Sequence, residues 1–302
     1  MPTSAIAPSH PAVGFRPPIA VRSAGAIAHR ALLTCAGITR PVPGFEATPF
    51  RLAGNTLVWI GVDAPIHPRV ARVDSALSDF DRVCLKVKIA QVHTDETVGG
   101  QWFPAIDSLQ SLTRAILRVV RYQKPAGFGR LLTAQTLPFP LSHRRDPAVA
   151  LAQACADGNA LAFKAAAVRL LGVGSGLTPS GDDFVGGALF ARHAMTASGS
   201  DAQVLAWNGA RDSILAVAEA RTHVISFTLL QDLAHGASYT ALHQLASALR
   251  GADEPSMFDA MRGLVAIGHS SGWDMLTGFI AAVSGNTHFA GTTRLTGTTP
   301  HL

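Results

Sequence analysis

The order of apolar and polar residues changes character partway along the chain. From residue 19 to about residue 145 it is mainly strand-like. Val83, Leu85, Val87 and Ile89 alternate with Cys84, Lys86 and Lys88, which predicts a half-buried strand with its lysines in water. Phe50-Arg51-Leu52-Ala53 and Thr56-Leu57-Val58-Trp59-Ile60 flank Gly54-Asn55, a pair suited to a tight hairpin turn. Residues 108–122 break the pattern, because Leu109, Leu112, Ile116 and Val119 recur at helical spacing.

After Asp146 alanine and leucine take over at helical spacing. The predicted helices are 147–156, 159–171, 182–196, 202–218, 222–235, 239–250, 255–267 and 272–283. The expected fold class is α+β: a mainly β N-terminal domain over 19–145, then an all-helical C-terminal domain over 146–284. The junction is expected at the proline-bearing stretch 138–147. Residues 1–18, with prolines at 2, 8, 11, 17 and 18, read as a flexible leader. Residues 285–302, rich in Thr and Gly, read as a loosely held tail.

Composition narrows the function classes. Of 302 residues, 48% are hydrophobic and 15% charged, enough apolar material for a sizeable core. The net charge is +5, but the basic residues are scattered; the longest run is the pair Arg144-Arg145. A nucleic-acid binder concentrates such charge in a stripe, so no nucleic-acid partner is expected. The three cysteines, Cys35, Cys84 and Cys155, are far apart and form no metal-binding pair. No apolar run reaches membrane-spanning length, and the N-terminus lacks the apolar core of a signal peptide. A cytoplasmic protein with no membrane partner is expected.

The candidate chemistry centres on residues 172–183, between two predicted helices. Gly172, Gly174 and Gly176 permit positive φ and leave backbone N–H groups uncovered. Thr178-Pro179 precedes Ser180-Gly181-Asp182-Asp183, where Ser180 and Asp183 have the spacing of a capping box. A glycine-rich loop running into a helix start favours a small anion. A second segment has the same form: Ser271-Gly272-Trp273-Asp274. Gly278 follows Asp274 at the spacing by which Gly187 follows Asp183. Glycines at matching depth in two helices imply close helix approach, so the two turns are expected to build one site. His269 and Ser270 add polar groups to the second turn. A third polar segment holds Thr222, expected as a helix cap, and Ser226 one turn further along.

Asp182, Asp183, Asp274 and His269 are the candidate catalytic groups. Gly174, Gly176, Thr178, Ser180, Gly181, Thr222, Ser226, Ser270, Ser271 and Gly272 are the candidate substrate-binding residues. Neighbouring acids also suit Mg²⁺, but adjacent acids are more often first-turn helix charges, so neither metal nor cofactor is assigned. The loop lacks the closing lysine of a nucleotide-binding P-loop, which disfavours classical NTP hydrolysis.

The chain resembles the DUF2877 family. The resemblance rests on Gly176 to Phe184, on Arg221 to Ser226 and on Gly268 to Asp274, in that order, with a looser match at His67-Pro68-Arg69. It departs mildly at Val173 and Ser175, where leucine and often proline are expected. The resemblance implies a subunit of an oxamate carbamoyltransferase, which interconverts oxalurate plus phosphate with oxamate plus carbamoyl phosphate. It also implies partner subunits, one of them like an acyl-CoA synthetase. The alternative is a non-catalytic subunit or module that binds a metabolite anion with the same loops.

Overall fold

The computed structural model describes residues 18–75, 85–95, 106–196 and 200–284. The expected leader, apart from Pro18, and the expected tail lie outside the described residues, as do Val83 and Cys84 of the alternating strand. The architecture is α+β, with strands first and helices after, as the residue pattern predicts.

Six strands close into a barrel. They are β1 (Ile19–Gly25), β2 (Ile38–Pro41), β3 (Phe50–Ala53), β4 (Thr56–Gly61), β5 (Val70–Val73) and β6 (Leu85–Asp95). Around the barrel the order is β1-β5-β4-β3-β2-β6, with β6 returning to β1. The β3–β4 hairpin is the one expected: Ala53 pairs with Thr56, and Gly54 takes φ +60° to make the turn. The β1–β6 and β4–β5 pairs are parallel. A helix absent from the sequence reading, α1 (Ala26–Thr34), follows β1 directly. Its buried Ala28, Ala31 and Leu32 share a core with Val21, Val58, Ile60, Ala71 and Val73 of the barrel.

The helical part comprises α2 (Ile106–Val120), α3 (Arg145–Ala156), α4 (Ala160–Val168), α5 (Ser180–Thr196), α6 (Asp201–Arg221), α7 (Val224–Ala234), α8 (Thr240–Gly251), α9 (Glu254–Val265) and α10 (Ser271–Ser284). Two 3-10 turns, Gly127–Thr133 and Leu141–Arg144, lie between α2 and α3. One large core spans these elements, from Ala115 of α2 to Val283 of α10. At its centre α5 and α10 pack together, and each is buried on nearly every side. Such helices carry no polar stripe to orient them. Phe184 and Phe279, fully buried here, contribute about 1.5–3 kcal/mol each by leaving water.

The barrel leans on α7. Val42, Phe50 and Leu57 meet Ile225 and Leu229 of α7. Beside this contact the Arg69 guanidinium grips the Asp232 carboxylate with two nitrogens, one at 2.8 Å. His67 is buried in the same seam and pushed down to about pKa 3, first by burial and then by the charges of Arg69 and His243. The barrel thereby fixes α7, whose first turn carries Ser226.

Candidate functional site

The glycine-rich loop starts where the polypeptide leaves α4. Gly172, Gly174 and Gly176 all have positive φ, at 73°, 119° and 101°. At Gly172 a Cβ would sit 2.6 Å from the Arg221 carbonyl, and at Gly174 it would sit 2.6 Å from the Ser180 amide. These two glycines are therefore fixed by close backbone approach, whereas Gly176 is open to solvent. Among the described residues, the N–H groups of Gly174, Ser175, Gly176 and Leu177 have no hydrogen-bond acceptor. The Gly181 N–H is occupied, donating to the Val173 carbonyl at 2.8 Å.

The matched glycines do what their spacing predicts. A Cβ at Gly187 would strike the Met275 carbonyl, and one at Gly278 would strike the Phe184 carbonyl. Each glycine thus admits the other helix's backbone, and the first turns of α5 and α10 meet. The Thr178 and Ser271 hydroxyls are 2.8 Å apart, and those of Ser180 and Ser270 are 3.3 Å apart. Hydroxyls of both turns reach each acid: Ser271 and Thr178 lie beside Asp183, while Ser180 and Ser270 lie beside Asp274.

Several side chains play different parts from those their spacing suggests. Ser180 and Ser271 are the first residues inside their helices, and their hydroxyls point across the seam rather than capping Asp183 and Asp274. The cap of α7 is His223, whose ring accepts from the Ser226 N–H, not Thr222. Thr222 donates its hydroxyl to Asp182 at 2.6 Å, and Ser226 does so at 2.7 Å. The other Asp182 oxygen accepts from the Gly172 N–H at 2.7 Å. Asp182 is thus fully engaged in tying the glycine loop to the α6–α7 corner. One residue on, the helix has turned by about 100°, and Asp183 faces α10 instead. His269 is exposed in the second turn, and Gly272 is packed against the Leu264 carbonyl.

The three polar segments therefore meet at one place. Residues 170–283 match the family model of the oxamate carbamoyltransferase subunit AllH. That is the family of the DUF2877 resemblance, and all three segments lie inside the match. No curated protein and no solved structure matches the chain. No helix among the described residues is long and apolar enough to cross a membrane.

Within the AllH-matching segment, Asp183 and Asp274 are the electrostatic centre. Burial first, and then the Asp274 charge, hold the Asp183 carboxyl well above the ordinary carboxylate range, against the pull of Ser271 and Thr178. Burial raises Asp274 to about 7, although the Phe128 N–H and the Ser180 and Ser270 hydroxyls lower it. One oxygen of each, Oδ2, is buried without a hydrogen bond. Two groups were missed by sequence reasoning. Phe128 donates its N–H to Asp274 Oδ1 at 2.6 Å from the turn Gly127–Thr133. Gly127 there has φ +53°, and a Cβ on it would collide with the Asp274 carboxylate. The sequence signal was a Gly-x-Gly at 127–129, but nothing local links it to a residue 146 positions away. Tyr239 is buried near the site, and its hydroxyl is pushed up by burial and by the charges of Asp183 and Asp232. Among the described residues, no group of three or more His, Cys, Asp or Glu is placed to hold a metal ion.

Proposed function

We propose that this chain is a carbamoyltransferase subunit acting on carbamoyl phosphate and a small amide acid such as oxamate. The observation that carries the reading is the meeting of a loop whose N–H groups find no acceptor among the described residues with two buried acids, each bearing an unpartnered oxygen. The match to the AllH family model supports it. In the reaction, the amide nitrogen of oxamate attacks the carbamoyl carbon. The C–O bond to phosphate breaks, and the amide proton leaves with the phosphate. The products are oxalurate and hydrogen phosphate.

The residues present suit those demands. The N–H groups at 174–177 and the start of α5 offer donors to a phosphate. Burial and mutual repulsion keep Asp183 and Asp274 from both being ionised at neutral pH, so the pair supplies one acid and one base. Asp182, Thr222 and Ser226 position the loop. His269 stands at the exposed edge of the second turn, where an arriving anion passes.

The test is reconstitution with the partner subunits, following phosphate release from carbamoyl phosphate in the presence of oxamate. Asp183→Asn and Asp274→Asn should each lower kcat by about a hundredfold or more. Undiminished turnover in both variants would leave an anion-binding subunit without catalytic groups.

A further inference from the structure

The two turns are alike beyond the short pattern they share. Val173 N–H donates to the Leu170 carbonyl at 3.2 Å, and Ile267 N–H donates to the Leu264 carbonyl at 3.0 Å. Gly181 N–H returns to Val173 at 2.8 Å, and Gly272 N–H returns to Ile267 at 3.0 Å. Gly181 packs on the Leu170 carbonyl, as Gly272 packs on that of Leu264. Gly174 and Gly268 both have positive φ. The chain thus contains two copies of one helix–turn–helix device, facing each other across the α5–α10 seam. They differ in the connection between the matching glycine, Gly174 or Gly268, and the helix serine. Residues 175–179 fill it in the first copy, and only His269 and Ser270 fill it in the second.

We propose that the copies are half-sites, one for each reactant, with the carbamoyl group held between them. This rests on the carbamoyltransferase reading above. A phosphate carries three terminal oxygens and needs the larger set of N–H donors, which the longer loop provides at 174–177. A carboxylate carries two, matching the short turn at His269 and Ser270. The carbamoyl NH₂ has two N–H bonds. The seam offers two buried acceptors without partners, Asp183 Oδ2 and Asp274 Oδ2. One N–H to each holds the carbamoyl plane across the seam. Phosphate then lies on the α5 side of the carbamoyl carbon, and the attacking amide nitrogen comes from the α10 side.

Calorimetry on the full chain with inorganic phosphate and with oxamate tests this. Both should bind at once, each affinity changing by less than about twofold when the other is saturating. Gly176→Ala should weaken phosphate by about tenfold or more and spare oxamate; Gly268→Ala should do the reverse. Mutual displacement of the two ions, or equal loss of both in either variant, overturns the half-sites but leaves an anion site intact. Absence of binding by either ion overturns the underlying reading as well. The competition experiment uses the unmodified chain, so the outcome does not depend on either variant folding.

Discussion

The turn before α5 and the turn before α10 share a backbone but are anchored by different chemistry. The equivalent positions are Asp182 and Trp273. Asp182 accepts three hydrogen bonds, from Gly172, Thr222 and Ser226. Trp273 is buried and lies against Gly129 of the turn that also supplies the Phe128 N–H. The first turn holds an exposed loop, and a polar anchor can fix such a loop by direction. The second is short and itself exposed at Gly268 and His269, but Trp273 after it enters the core, where an indole fills volume. The next residue in each copy, Asp183 or Asp274, is then free to face the seam. Like placement of the two seam acids is reached by unlike supports, which shows that the seam is the shared feature.

The strongest way to break the comparison is to separate the copies. Gly278→Val would drive a branched side chain into the Phe184 carbonyl, and neither helix can yield without losing core contacts. Little or no cooperatively melting protein is expected from this variant by circular dichroism. A well-folded Gly278→Val chain would show that the seam is not tightly closed.

The anchors can be compared by removing each in turn. Trp273→Ala empties a buried indole site and should cost about 3–5 kcal/mol in urea unfolding. Asp182→Ala orphans one N–H and two hydroxyls, of which that of Ser226 is buried, and should cost about 1–3 kcal/mol. The reverse order would mean that the glycine loop, rather than the second turn, depends on the core.

Much of this was legible in the residues, for reasons that differ by region. The helices after Asp146 announce themselves through alanine and leucine spacing, and the twin turns through a repeated Ser-Gly-x-Asp with a glycine one turn later. Those signals are local. The barrel's closure is not, because pairing β6 with both β1 and β2 depends on residues tens of positions apart. α1 escaped because it follows β1 without a capping side chain. The distinct fates of Asp182 and Asp183 were hidden for the opposite reason. As neighbours they look equivalent in sequence, yet one helical step sends them to different partners. Phe128 acts through its backbone, so its side chain gave no hint.

The finest difference between the copies is how their acids titrate, and it yields the smallest effect. Asp274 accepts from the Phe128 N–H and lies beside the Ser180 and Ser270 hydroxyls, yet burial raises it to about 7 from an ordinary 3.8. A carboxyl with a raised folded pKa binds its proton more tightly in the native state. Its contribution is therefore present at low pH and is lost as pH rises toward about 7. Asp183 is shifted the same way and adds to the trend. Buried His67, shifted downward, acts with the opposite sign at lower pH, since the native protein resists its protonation. The useful quantity is thus the difference between unmodified protein and Asp274→Asn, in which the His67 contribution cancels. The asparagine Oδ1 can still accept from Phe128, so the turn is retained. It carries no charge, and it also removes the repulsion that raises Asp183. Thermal melts at about pH 5 and about pH 8 should show the unmodified protein losing more stability on going to the higher pH than the variant does. Equal losses would mean that Asp274 does not change its protonation between these two pH values.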